Sequence, residues 1–454
     1  MEKLIFILLS VFSFSLITCT NPDHEPETII NNVNVIDVEN GSIIEDQDIV
    51  IREGKIALVG KSKSHKESVI IDGSGKYLMP GLTEMHAHIP TPETENEAYV
   101  EDVLFLYLSQ GVTTIRGMLG DPFHLQLKKD VEDEKILSPR VYTSSPSLNG
   151  GTIKTKEEAI EKVSQYKTDG YDFLKVHPGI TLSAWEGLEE TAKSVNIPFS
   201  GHVPIEVGIH RALESGYATI DHLDGYLEGL VPADKNIDPA SGGFFAYNFT
   251  DDINTDLIPE LVAKTKHLNV AVVPTQTLFT RWFSPTEPTI NLQESEMKYM
   301  PSKIRFAWRQ NKERMISDEA YNKEKWERFI SIRNALIKEM DKQDVTFLLG
   351  SDAPQVMNVP GFSLHHEMQD MANAGLTTAK ILKSGTVNPA VFFGEEGNFG
   401  AIKTDASADF ILLNENPLDN IKHSTDIAGV MVRGQWLSRD AIKKRLAEIA
   451  KKNK

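Results

Sequence analysis

The rhythm of hydrophobic positions changes along the chain. From Thr28 to Leu78, short apolar runs alternate with turn residues: IINNVNVIDV, QDIVIREGKIALVG and SVIIDGSGKYL. Period-2 alternation of this kind predicts half-buried strands, and the Glu53-Gly54-Lys55 break marks a hairpin. The pattern returns near the C-terminus in FGAIKTDASADFILLNENPL and IAGVMVRGQWL. Neither block has enough strands to stand alone. The reading is therefore one small β-sandwich assembled from residues 28–77 and 396–440.

Between these blocks, apolar β-like runs alternate with helical patterns, the signature of βα units around a parallel sheet. Eight candidate strands stand out: LMPGLTEMHAH (78–88), VTTIRGM (112–118), RVYTSS (140–145), DFLKVH (172–177), IPFSGH (197–202), ATIDHL (218–223), VAVVPTQ (270–276) and TFLLGSD (346–352). Eight such units close a (β/α)8 barrel, placed at residues 78–395. The stretch 282–343 is too long for a plain βα connection and predicts inserted helices over the barrel mouth. Residues 441–454 predict a solvated C-terminal helix.

Composition narrows the function classes. A chain of 454 residues with 40% hydrophobic and 25% charged residues can bury a large core, which excludes bulk disorder. The excess of 65 Asp+Glu over 47 Lys+Arg leaves a formal charge of -18, a field that repels phosphate backbones and excludes nucleic acid as a partner. The one long apolar run, LIFILLSVFSFSLI, is too short for a membrane span of ~20 residues and has the length of a signal-peptide core. It ends at Leu16-Ile17-Thr18-Cys19, and Cys19 is the single cysteine. This junction resembles a bacterial lipoprotein lipobox. The resemblance implies a signal peptide over 1–19, lipidation of Cys19 and a polar tether over 20–27. Plain signal-peptidase cleavage beside a chance cysteine is the alternative. Either way the chain is expected to be exported. The lipobox reading anchors it to the cell envelope, on the periplasmic or outer-membrane face, with no other membrane contact. After Cys19 no thiol remains to form a disulfide, hold a metal or act as a nucleophile.

Metal-capable residues gather at predicted strand ends, where barrel enzymes build their sites. His86 and His88 close the first strand as His-Ala-His, a spacing that puts both imidazoles on one side. Lys175 lies near the end of the fourth strand, His202 ends the fifth, His222 the sixth and Asp352 the eighth. A lone strand-end histidine among 13 says little. The ordered set reads as a metal site.

The motifs MPGLTEMHAH, GVTTIRG, FLKVHPGI, SGHVP, TIDHLDGY and GSDAP resemble those of the amidohydrolase superfamily over nearly all of residues 28–440. The GHVP, IDHLDGY and KVHPG details are most similar to its prolidase-like and imidazolonepropionase-like branch of metal-dependent dipeptidases. The resemblance implies two divalent ions, zinc by type. His86, His88 and Asp352 would hold the more buried ion, His202 and His222 the other, and Lys175 would bridge both as a carbamate. Carbamylation turns an ammonium that two dications would repel into an anionic ligand. The alternative for Lys175 is an ion-paired lysine beside a single metal. It further implies that metal-activated water attacks the carbonyl while Asp352 carries the proton to the leaving amine.

Other residues carry two readings. Tyr226 resembles a tyrosine that stabilises an oxyanion in some members, or it packs at a strand-to-helix turn. His365 and His366, in GFSLHHEM, would meet a substrate carboxylate, support a ligand from behind, or start an amphipathic helix. Arg116 sits where relatives have Arg-Asp, but Gly117 replaces the acid. His177 shares a strand face with Lys175. Arg281, Arg305 and Arg309 would bind a substrate carboxylate or form surface salt links. The expected reaction is hydrolysis of a C–N amide bond in a dipeptide or N-acyl amino acid. A cyclic-amide hydrolase and a non-catalytic ligand-binding lipoprotein are the alternatives, and the oligomeric state is left open.

Overall fold

The computed structural model describes residues 27–62, 68–92 and 97–453. The expected signal peptide with Cys19, and all of the expected tether but Glu27, lie outside the described residues. In chain order the strands are β1 Thr28–Asp37, β2 Ser42–Arg52, β3 Lys55–Gly60, β4 Val69–Asp72 and β5 Tyr77–Pro80. The parallel strands follow as β6 Leu82–Ala87, β7 Val112–Gly117, β8 Arg140–Thr143, β9 Leu174–Val176, β10 Phe199–Gly201, β11 Thr219–Asp221 and β12 Ala271–Val273. The chain closes with β13 Phe410–Leu413, β14 Ile427–Val432 and β15 Gln435–Ser438. No helix among the described residues is long and apolar enough to cross a membrane.

The terminal segments do assemble together, but as one mixed sheet rather than two stacked ones. Its order is β15-β14-β13-β5-β1-β2-β3, with β4 pairing β1. Register shifts interrupt the β1–β2, β2–β3 and β13–β14 ladders, and such bulges bend and twist strands. The curled sheet meets itself where Ile56 N donates to Ala406 O at 2.8 Å. It encloses a core of its own that includes Ile30, Val35, Ile49, Phe410 and Met431.

The expected first barrel strand, 78–88, proves to be two strands in different sheets. β5 pairs antiparallel with β13 and belongs to the curled sheet, whereas β6 pairs parallel with β7. The chain changes sheets at Gly81, where a Cβ would sit 2.0 Å from Thr113 Oγ1. Only glycine fits that crossing.

Strands β6-β7-β8 and β9-β10-β11-β12 form two parallel sheets. Ser145 N donates to Phe173 O at 2.8 Å, joining the end of β8 to the start of β9. Beyond β12, Leu348 N donates to Val272 O at 2.9 Å. Met85 N then donates to Leu349 O at 2.8 Å, and His88 N to Ala353 O at 2.8 Å. The segment 346–353 is thus hydrogen-bonded to both β12 and β6 without being a continuous strand. Helices fill the connections with ordinary stop and start signals. Thr155 caps Lys156–Asp169 through Glu158 N, for example, and Gly170 ends it at φ 94°.

Two helices add to this frame. Within 282–343, helix Lys323–Lys342 reaches the strand ends, with Arg333 donating to His222 O at 2.8 Å and Pro274 O at 3.0 Å. It packs on helices Ile258–His267 and Gln276–Arg281 and buries Phe329, Ile332, Leu336 and Met340. Its apolar stripe makes it the crossover that leads to residue 346. The C-terminal helix begins earlier, at Arg439, and is solvated on one side only. Ile442, Leu446 and Ile449 are buried, and Arg445 and Lys452 reach Asp102 on helix Glu97–Ser109 at 2.7 and 3.1 Å.

Candidate active site

The C-terminal ends of the parallel strands bring His86, His88, Lys175, His202, His222 and Asp352 together. His86, His88 and Asp352 each offer a ligand atom within 4.8 Å of the others. His88 Nε2 lies 2.7 Å from Asp352 Oδ1, and His86 Nε2 lies 3.5 Å from the same oxygen. Lys175 Nζ is 3.4 Å from His86 Nε2. The rings of His86 and His222 are 4.4 Å apart, and those of His222 and His202 are 4.7 Å apart. His86, Lys175 and His222 are buried.

Each inner imidazole is held from behind. His202 Nδ1 bonds Asp224 Oδ2 at 3.0 Å, and His222 Nδ1 bonds Thr275 Oγ1 at 2.8 Å. His86 Nδ1 lies 3.0 Å from Asp221 Oδ2, close but without the geometry of a hydrogen bond. His86 Nε2 faces the cluster, 3.4 Å from Lys175 Nζ and 3.5 Å from Asp352 Oδ1, and an Nδ1 that donates from behind leaves Nε2 its lone pair. Asp352 Oδ1 is buried without a hydrogen-bond partner. Clustered imidazoles, a carboxylate oxygen in want of a partner and an adjacent lysine together fit divalent cations.

Burial keeps the His86 and His222 imidazoles neutral. His86 is held well below the usual range by burial and by Lys175 beside it. His222 is lowered in the same way by burial and by His86. Burial also brings the Lys175 ammonium down to about 8, so a neutral amine is accessible near physiological pH. Backbone strain gathers here as well. His222, Leu223, Thr275 and Asp352 all have positive φ, at 64°, 54°, 45° and 63°. Non-glycine residues hold such angles only where the surroundings enforce them.

The remaining candidates divide clearly. Arg116 is buried beneath the cluster, donating to Met85 O at 2.6 Å, Thr219 Oγ1 at 3.1 Å and Asp221 Oδ1 at 3.3 Å. It therefore fixes the carboxylate that faces His86, although Gly117 supplies no acid. His177 stacks on His202 at 5.0 Å and bonds Ser147 Oγ at 2.7 Å.

Tyr226 takes its packing reading: the buried hydroxyl bonds Thr265 Oγ1 at 2.9 Å, on the helix Ile258–His267. His365 is likewise no substrate ligand. Its two nitrogens are spent on Ser424 Oγ at 2.9 Å and Gln110 O at 3.0 Å. His366 pairs with Glu296 at 2.9 Å. Arg281 is bound to Glu294 and Met357 O, Arg305 to Asn453 O and Arg309 to Glu313, so each has a structural partner.

Sequence reasoning missed Asp221, Asp224, Thr275 and Phe245. The first two flank His222 in TIDHLD, which was the available signal. Phe245 lies against His202 and His222 with ring centroids 5.9 and 5.5 Å away, held by backbone at φ 50°. Its stretch, SGGFFAYNF, has no periodic pattern to draw notice.

The comparisons agree with this geometry. The sequence profile of the amidohydrolase family matches residues 77–437, and the chain belongs to that family. Its solved structural neighbours include prolidase-like and Xaa-Pro dipeptidase-like amidohydrolases. The putative prolidase from Bifidobacterium longum superposes with a TM-score of 0.65 at 21% identity, covering 94% of this chain and 99% of that one. A Xaa-Pro dipeptidase with bound methionine gives 0.66 at 17% identity, covering 91% and 100%. Bottromycin amidohydrolase gives 0.70 at 20%, covering 94% and 91%. These likenesses speak for the fold: the neighbours imply a TIM barrel with an added domain.

Among curated relatives, an adenine deaminase of Ruegeria sp. is 27% identical over 186 residues, 39% of this chain and 28% of that protein. A dihydroorotase of Bacillus cytotoxicus is 34% identical over 135 residues, 28% of this chain and 31% of that protein. The chain therefore spans about a third of the length of these relatives.

Proposed function

We propose that the parallel segments close into a (β/α)8 barrel and that its rim hydrolyses the amide bond of a dipeptide or N-acyl amino acid. The observation that carries this reading is the convergence of four imidazoles, Lys175 and Asp352, with Nδ1 of His202 and His222 hydrogen-bonded from behind and Asp221 beside Nδ1 of His86. His86, His88 and Asp352 would hold one divalent ion and His202 and His222 a second, with Lys175 bridging them as a carbamate. Such ions, zinc in the first instance, supply Lewis acidity that polarises a carbonyl and acidifies water.

The chain's own residues do the rest. Asp352 Oδ1, lacking a hydrogen-bond partner, accepts the proton of the attacking water and returns it to the leaving nitrogen. Asp224, Thr275 and Asp221 keep the rings in one tautomer and orientation. Phe245 shields the outer pair of histidines from bulk water and offers an apolar wall to the substrate's side chain.

The test is metal analysis with a substrate panel. Protein produced with zinc and bicarbonate is assayed on Xaa-Pro, Xaa-Arg and Xaa-Lys dipeptides, N-acyl amino acids and imidazolone and hydantoin rings. Dipeptide or N-acyl turnover is the expected result. The likeness to a dihydroorotase favours ring opening as the second reading, and activity on rings alone would remove the peptidase one. Less than one equivalent of metal, with no hydrolysis after zinc or manganese is added, would favour a binding lipoprotein instead. We further propose export and lipid anchoring through Cys19, supported by the LITC junction. A Cys19→Ala chain that still partitions into detergent would refute the anchor.

A further inference from the structure

Away from the histidines, a cavity of about 440 Å³ opens between helix Phe362–Asn373, the turn Met297–Tyr299, residues 421–425 and the C-terminal helix. One side is apolar. Tyr299 and Phe362 stack with centroids 5.3 Å apart and planes 23° from parallel, and Ile421 and Leu446 adjoin them. Lys422 and Arg439 also line it, and neither has an ion-pair partner among the described residues. Its single carboxylate, Glu296, is already engaged by His366 at 2.9 Å and Arg281 at 3.9 Å. In a chain of net charge -18, two unpaired cations on one concave surface are left for an anion from outside. Gln369 Oε1, also on this wall, is buried without a hydrogen-bond partner.

We propose that this cavity is an accessory binding site for a small carboxylate bearing an aromatic or branched apolar body. Arg439 and Lys422 take the carboxylate by charge-assisted hydrogen bonds. The Tyr299–Phe362 pair takes the body. The volume falls within the roughly 300–1,000 Å³ usual for such ligands.

One helix serves both this cavity and the histidine cluster. Gln369 and His366 face the cavity. On the same helix, Ser363 Oγ meets Ser351 Oγ at 3.0 Å, next to Asp352, and Glu367 accepts from Thr277 N at 2.7 Å.

The probe is phenylacetate, which has no amide to hydrolyse, titrated calorimetrically into the intact chain and its variants. Saturable binding with 1:1 stoichiometry is expected, unchanged by His202→Ala. Removing the charge-assisted contacts in Lys422→Gln/Arg439→Gln is expected to weaken it at least about tenfold. The single Lys422→Gln, at an exposed position, reads the same effect where the double variant melts early. No binding to the wild-type chain would overturn the proposal. So would binding that survives Lys422→Gln/Arg439→Gln but is lost in His202→Ala, which places the carboxylate among the histidines. Because the readout is binding, it stands or falls separately from the hydrolytic reading.

Discussion

Asp224 Oδ2 accepts from both ends of one short stretch: the imidazole of His202 at 3.0 Å and the backbone N–H of Val203 at 3.0 Å. The carboxylate comes from the loop after β11 and the histidine from the end of β10, so this contact ties two neighbouring strand ends. Partners of this kind fix the tautomer and raise ligand basicity.

Asp224→Asn is therefore expected to weaken metal retention by about 10–100-fold, the usual effect of losing such a partner. The amide can still accept from Val203 N, so the fold should persist. Competition with a graded chelator series, alongside a melting curve, separates the two effects. Unchanged metal affinity would show that His202 is oriented by other means.

Asp352→Asn removes the proposed proton acceptor while keeping the shape of the side chain. Loss of a positioned acid–base group costs about 10²–10⁴ in rate. The expected fall is in kcat rather than KM, because the contact matters most as the proton moves. Metal content measured on the same sample shows how much of the loss comes from weaker ligation.

Tyr226→Phe discriminates between the two readings the sequence left open. With its hydroxyl on Thr265 Oγ1, the variant should keep kcat within about twofold and lose about 1 kcal/mol of stability, the net worth of a buried hydrogen bond. Urea unfolding and steady-state kinetics report the two quantities. A hundredfold fall in kcat would return the tyrosine to the site.

The six inner-rim residues were legible because strand ends announce themselves in sequence: an apolar run stops at His, Lys or Asp, and the runs recur at βα spacing. What positions them was not legible. Asp221 and Asp224 look like any acids near a turn, and only contacts across the sheet join Asp221 to His86 and Arg116, and Asp224 to His202. The curled sheet was legible as two β blocks needing each other. The place where the chain leaves it was not, because MPGLTEM is apolar on both sides of Gly81 and period alone cannot divide it. His365 misled for the reverse reason: a histidine pair at a helix start resembles a ligand pair until its partners, Ser424 and Gln110, are seen.

Those partners set the last prediction. Burial brings the His365 imidazole down to about 4 from an ordinary value near 6.5. The unfolded chain thus binds a proton there between about pH 6.5 and 4 while the folded chain does not. The contribution is fully present above the unfolded value and is lost as pH falls through that window. A His365→Asn variant lacks the titrating group, so the stability difference between wild type and variant should shrink as the buffer is acidified from pH 7 to pH 4. The limiting slope for one such group is about 1.4 kcal/mol per pH unit. Urea unfolding at several pH values measures it, with activity left aside because metal loss at acid pH would confound a rate. Parallel pH profiles for the two proteins would mean that the histidine takes up its proton in the folded chain as readily as in the unfolded one, with both ring nitrogens donating, Nε2 to Gln110 O and Nδ1 to Ser424 Oγ.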